Sequence, residues 1–136
     1  MLVVVYTDDG DILLLRRRQP FEFWQSVTGS LRHGETGVEA ARRELHEETG
    51  MTDEGELTLT GVTREFEIDP RWRDRYPEGV TINEEHEFRY RLGQPRDIRL
   101  HDEEHSAYRW TPIDEAIDTV WSWTNRDALV ELRRCL

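Results

Sequence analysis

An α/β fold, with strands and helices interleaved around one mixed sheet, is what the sequence predicts. Three observations carry that expectation. Two apolar runs rich in branched residues, LVVVY at 2–6 and ILLLR at 12–16, flank the turn TDDGD. A helical segment over 37–49 is marked at both ends, and further strand-like runs lead to a closing helical segment over 124–135.

Taken in order, the Asp-Gly at the centre of TDDGD is a hairpin signal, so the chain opens with two paired strands. The helix over 37–49 starts at a capping box, Thr36 with Glu39, and stops where Gly50 stands in the position of a left-handed terminating glycine. At ~100° per residue Val38, Ala41 and Leu45 fall on one narrow stripe facing a core, while Glu44, Glu47 and Glu48 fan over the adjacent arc. Strands are expected over 57–63, 66–68, 81–92, 98–100 and 107–111, and a helix over 124–135. The long polar interruption DPRWRDRYPEG, residues 69–79, reads as a functional loop. Neither an internal repeat nor a low-complexity stretch interrupts the pattern.

With 136 residues the chain suits one domain around one core, residues 1–136. No apolar run approaches the ~20 residues of a membrane span, and no signal region opens the chain, so a soluble cytoplasmic protein is expected. The lone cysteine, Cys135, excludes an internal disulfide and a cysteine zinc site. A net charge of −11 argues against nucleic-acid or membrane partners, both of which are anionic. An anionic ligand would need something to bridge it to this protein. All 18 basic residues are arginines, which keeps every positive side chain capable of bidentate phosphate contacts.

The crowded glutamates supply the bridge. At a helix C-terminus each meets the negative end of the macrodipole, at a cost of ~0.3–1 kcal/mol per contact, and mutual repulsion adds to it. Arg42 and Arg43 precede them in the less favourable order for helix ion pairs, so a solvated face explains the crowding poorly. Carboxylates at i, i+3 and i+4 can instead converge on a divalent cation such as Mg²⁺, which prefers oxygen ligands and completes its shell with substrate phosphates.

At these residues the chain resembles the Nudix family. Gly29, five residues, Glu35, seven residues, then Arg43-Glu44-Leu45-x-Glu47-Glu48-x-Gly50-Met51 fills every position of the Nudix box. The resemblance implies a Nudix-type α/β/α sandwich around a mixed β-sheet and Mg²⁺-dependent hydrolysis, with Mn²⁺ able to substitute, of a diphosphate linked to some other group. The segments FWQSVTGS, EFEI, RYPEGVT, EEHSAYRW and SWTNR further resemble those of bacterial dihydroneopterin triphosphate pyrophosphohydrolases, which release pyrophosphate from a folate precursor. Two departures accompany the likeness. The chain starts directly at its first strand without the basic segment such enzymes carry, and the stretch after Gly50 is about two residues shorter.

The resemblance also implies roles. Glu44 and Glu48 are metal ligands, Glu47 is a ligand or holds water, and Glu104, from outside the box, joins them; Glu48, Glu104 and Glu47 form the catalytic set. Read from composition alone, Glu104 in HDEEH is an ordinary surface acid. Gly29, Glu35, Arg43 and Gly50 are structural within the motif, with Glu35 orienting the loop or the helix. His105 either positions water or phosphate or bonds locally. Arg17, Thr28, Phe66, Glu67 and Ser122 match positions that contact substrate, a small-molecule triphosphate, while Arg16 and Arg18 face solvent. Of the tryptophans, Trp24, Trp110 and Trp123 are each expected in the core, with Trp24, nearest the box, the candidate for a stacking platform. Three functions are compatible with the residues: a pterin triphosphate pyrophosphohydrolase, a Nudix hydrolase of nucleoside triphosphates or other capped diphosphates, and a Nudix module that binds nucleotide without turnover.

Overall fold

The opening hairpin is formed by β1 (Leu2–Thr7) and β2 (Asp11–Arg17), turned by Gly10 at φ 86°. Both strands are apolar through their centres because both of their faces are covered there, and successive side chains alternate between them. Val3, Val5, Leu13 and Leu15 enter a 14-residue cluster with Ala40, Ala41 and Leu45. Leu2, Val4, Ile12 and Leu14 enter a 10-residue cluster with Ala116, Ala128, Leu129 and Leu132. The computed structural model, which describes residues 1–136, is therefore an α/β/α sandwich, with α1 (Gly37–Thr49) on one face and α2 (Ile113–Thr119) and α3 (Trp123–Cys135) on the other.

The sheet is mixed. β1 runs parallel to β6 (Ile82–Leu92), from Leu2↔Glu87 to Thr7↔Leu92, and β6 pairs antiparallel with the edge strand β5 (Glu56–Glu67). β2 pairs antiparallel with β7 (His105–Pro112). β1 and β2 touch only at Tyr6↔Ile12 and then splay. Two short strands fill the opening: β3 (Phe23–Gln25) pairs with the end of β2, and β4 (Val27–Thr28) pairs with the start of β1. Ser26 is the corner between them. Its N–H donates to Asn125 Oδ1 at 2.8 Å and its hydroxyl accepts from Asn125 Nδ2 at 3.0 Å, tying the corner to α3.

The expected helix over 37–49 has the expected ends. Glu39 N–H donates to Thr36 Oγ1 at 3.2 Å, and Thr36 N–H donates to Glu39 Oε1 at 3.1 Å. Gly50 closes the helix at φ 79°. Its packed face differs in one position. Val38 is 43% exposed, while Ala40, Ala41, Leu45 and Glu48 are buried. Val38 has the right azimuth but sits in the first turn, at the margin of the packed cluster.

Other departures are local. The two strands expected over 57–63 and 66–68 are one strand, β5, whose register shifts between Leu59 and Thr63 around Gly61 at φ 83°. A glycine bulge reads in sequence as a break. Residues 98–100 form no strand; Arg99 N–H donates to Thr49 O at 3.0 Å and Ile98 packs into the core from a loop. α2 and the short β3 and β4 were not expected, being too brief to show a period. The polar loop contains a 3₁₀ turn, Pro70–Arg75, opened by Asp69, whose carboxylate accepts from Arg71 N–H at 2.9 Å.

A Cβ on Gly50 would both strain a left-handed backbone and lie 3.2 Å from Arg99 Cβ. Gly50→Ala is therefore expected to lose about 1 kcal/mol of stability in urea denaturation; an unchanged midpoint would contradict this account of the helix end.

Candidate active site

The end of α1 distributes its three acids unequally. Glu48 is 1% exposed, Glu44 lies at the cavity wall, and the Glu47 side chain is 41% exposed. Arg43 organises their surroundings by reaching back across the loop that precedes the helix. It donates to Glu35 at 2.7 and 2.9 Å, to Glu44 at 2.7 Å, to Glu47 at 3.3 Å and to Ser30 O at 2.8 Å. Glu35 also accepts from Arg32 N–H at 2.7 Å, and the Arg43 guanidinium holds its carboxyl down to about 2. Glu35 thus ties the loop to the helix. Gly29 is required by crowding: a Cβ there would fall 2.2 Å from the Glu44 carboxyl carbon.

Glu48 lies under this layer. Its Oε1 is 3.6 Å from His105 Nε2, which is also 3.3 Å from Gln25 Nε2, while Glu48 Oε2 and His105 Nδ1 have no partner. Burial pushes the Glu48 carboxyl well up, and the nearby Glu44 and Glu104 carboxylates push it further. Burial lowers His105 to about 4, so its ring is neutral near pH 7 and the contact with Glu48 is not an ion pair. Glu104 enters from a turn just before β7: its N–H donates to His101 O at 3.0 Å and its carbonyl accepts from Arg18 N–H at 2.9 Å. Ligand atoms of Glu48, Glu104 and His105 lie within 4.8 Å of one another.

This arrangement fits a divalent cation. A buried carboxylate oxygen is unpartnered, and its neighbours add negative charge rather than donors. The donors are mostly carboxylate oxygens, which suit a hard cation over a thiophilic one.

A cavity of about 620 Å³ opens over the acids. Arg17, Thr28, Phe66, Glu67 and Ser122, the five residues expected at the substrate, all line it together with Glu44 and Glu104. Arg17 projects from the end of β2, its Nε donating to Gln19 O at 2.8 Å, and burial lowers its pKa. Arg16 pairs with Glu22, and Arg18 Nε donates to Asp102 O at 2.7 Å, so both turn away from the cavity. Ser122 caps α3, accepting from Thr124 N–H at 3.2 Å.

The tryptophans require correction. Trp24 packs against the α2/α3 cluster with the Arg109 guanidinium 4.6 Å from its ring centroid, because strand alternation turns it opposite to Phe23 and Gln25. Trp123, expected in the core, is 53% exposed and lines the cavity. Sequence reasoning missed Trp72, Tyr76, Glu85 and Trp121, which also line it. Trp72 and Trp121 pack edge-on or tilted against Phe21 and Phe23 at centroid distances of 5.2–5.8 Å, docking the 3₁₀ turn onto β3. The polar loop expected to be functional places Trp72 and Tyr76 at the cavity, but no periodicity marks which of its side chains turn inward.

Gly29→Ala forces the Glu44 carboxylate out of its place without straining the backbone. It is expected to weaken Mn²⁺ or Mg²⁺ affinity about 10- to 100-fold in calorimetric titration, with little change in melting temperature. Wild-type affinity would remove Glu44 from the metal site.

No helix is long and apolar enough to cross a membrane. The NUDIX domain profile matches residues 1–132. The chain is 44% identical over 133 residues to the dihydroneopterin triphosphate diphosphatase of Escherichia coli (strain K12), covering 95% of this chain and 87% of that one. It is 34% identical over 133 residues to the Haemophilus influenzae protein of the same name, covering 95% and 83%. A solved structure of the E. coli dihydroneopterin triphosphate pyrophosphohydrolase matches with a TM-score of 0.90 at 41% identity, over 96% of this chain and 90% of that one. The fold, the glutamate box gathered at one wall of the cavity and a profile spanning nearly the whole length agree: the chain belongs to the Nudix hydrolase family.

Proposed function

We propose that residues 1–136 act as a single Nudix hydrolase domain that converts dihydroneopterin triphosphate to the monophosphate and pyrophosphate with Mg²⁺. The observation that carries this reading is one cavity lined by acids, arginines and aromatic rings, in a chain 44% identical to an enzyme named for that reaction.

In this reading Glu44, Glu48 and Glu104 hold the cation, with Glu47 a further ligand or a holder of water. A divalent cation held there would supply neutralisation of phosphate charge and a lowered pKa for water. Glu48 and Glu104 are the carboxylates available to take the proton of the attacking water. His105, neutral and behind Glu48, holds that carboxylate in orientation. Arg17 grips a phosphate with its planar fork. Thr28, Phe66, Glu67 and Ser122 surround the rest of the substrate. In-line displacement at phosphorus then releases pyrophosphate.

Glu48→Gln removes a metal-binding charge at constant volume. It is expected to lose at least ~10²-fold in kcat while keeping or raising the melting temperature, because a buried unpaired carboxylate is lost. Glu104→Gln follows in kcat, and excess EDTA abolishes turnover of the wild type. Near-wild-type turnover in any of these would overturn the metal-site reading, and a collapse in melting would make Glu48 structural.

The substrate is tested by kcat/KM for dihydroneopterin triphosphate beside dATP, dGTP and GTP at saturating Mg²⁺, with product identification. Triphosphate and metal contacts are common to all four, so selectivity must arise at the ring and the polyol chain. The pterin is expected to lead, with purine deoxynucleotides next. A faster nucleotide, or release of orthophosphate, would sink the pterin reading.

A further inference from the structure

No step above uses Glu85, although it lines the same cavity. It stands on β6, where alternation sets Asn83, Glu85 and Glu87 on one face of the sheet. The acids at 85 and 87 have different fates. Glu87 Oε1 accepts from Arg64 Nη1 at 2.7 Å, and Arg64 is fixed in turn by Asp127 at 2.6 Å; Glu87 Oε2 makes no hydrogen bond but lies 3.7 Å from the Arg89 guanidinium. Glu85 is 8% exposed, and its Oε1 has no hydrogen-bond partner. A buried acceptor left empty is unfavourable, and native structures rarely keep one without a ligand or water to fill it.

The surroundings of Glu85 also differ from those of the metal-site acids. Glu48 is flanked by carboxylates, whereas beside Glu85 the Thr124 hydroxyl and the Arg64 guanidinium offset one neighbouring carboxylate, Glu87. It stands outside the cluster of Glu48, Glu104 and His105. What the buried Glu85 Oε1 lacks is a hydrogen-bond donor of its own. The rings of Phe66, Trp72, Trp121 and Trp123 line the same cavity and suit a flat heteroaromatic ligand.

We propose that Glu85 is a specificity residue for the ligand's ring: its carboxylate accepts from adjacent N–H donors, a ring N–H beside an exocyclic amine. A carboxylate accepts and does not donate, so two neighbouring donors match its two oxygens. The 2-amino-pyrimidinone edge common to pterin and guanine offers that pair. Adenine sets an amino donor beside a ring acceptor and would turn a lone pair on one carboxylate oxygen. The identification of pterin as the natural ring rests on the function proposed above; the choice of a guanine-like edge over others rests on Glu85 alone.

The test compares wild type with Glu85→Gln on dGTP and deoxyinosine triphosphate, which differ only in the 2-amino group. The readout is kcat/KM, or inhibition constants against dihydroneopterin triphosphate where turnover is slow, with melting temperatures alongside. Wild type is expected to prefer dGTP by about tenfold or more. In Glu85→Gln that ratio falls toward one, while the melting temperature holds or rises because an unfilled buried carboxylate is removed. Equal handling of the two nucleotides by wild type, or an undiminished ratio in the variant, overturns the proposal. Glu85→Ala, which deletes the acceptor, gives the same readout should the amide variant fail to fold. Failure of the pterin reading appears separately, as a nucleotide outrunning dihydroneopterin triphosphate, and leaves the dGTP ratio as decisive as before.

Discussion

The buried carboxylate of Glu48 is the constraint around which the rest of the structure is arranged. It sits at the negative end of α1, with one oxygen unpartnered and with Glu44 and Glu104 nearby. Removing one partner from a buried ion pair costs about 3–5 kcal/mol, and Glu48 is built without the partner. The helix that carries it must therefore be held by other means. A capping box and a left-handed glycine fix its ends, and Ala40, Ala41 and Leu45 press it onto the sheet. Arg43 takes up part of the remaining charge by binding Glu35, Glu44 and Glu47 together. A divalent cation among these acids reverses the sign of the imbalance, so the feature that weakens the helix is what selects its ligand.

The splay of β1 from β2 gives that charge an opening. Had the hairpin zipped fully, no room would exist for β3, β4 and the loop that starts at Gly29. Instead Thr28 pairs with Leu2, which brings Gly29 against Glu44, and Arg17 pairs with His105, which brings the turn holding Glu104 to the same end of the sheet. The register shift between Arg16 and Arg17 separates a solvent-facing arginine from one that enters the cavity.

Charge is divided in space as well as in sum. A protein of net charge −11 repels a triphosphate at long range, but Arg17, Arg75 and Arg126 line the same cavity as the acids. Burial, and then the nearby Arg75 guanidinium, lower the Arg17 pKa, and neighbouring arginines invite an anion between them. The lining also carries aromatic rings, with Trp72 and Trp121 packed together to hold the 3₁₀ turn in place, and the Glu85 carboxylate. A ligand with a polyanionic tail and a flat head has a complement for each part.

The sequence by itself determined whatever depends on near neighbours in the chain. The hairpin, the capped helix from Gly37 to Thr49, the clustering of Glu44, Glu47 and Glu48, and the α/β class follow from periodicity and end signals that act within a few residues. Its motifs also reached Glu104, Arg17, Thr28, Phe66, Glu67 and Ser122, all of which meet at one cavity. What the tertiary structure decided was depth, direction and company. Glu48 is interior and Glu47 is not, though both lie on one helical arc, because the sheet covers only part of that arc. Trp24 turns away while Trp72 and Trp121 turn in, because strand pleat and loop docking, not proximity to the motif, set their direction. Glu85 lacks the arginine partner that Glu87 has, because Arg64 of the neighbouring strand hydrogen-bonds to only one of them. Those outcomes depend on residues distant in the chain, and no local pattern encodes which of two equivalent side chains a distant partner will meet.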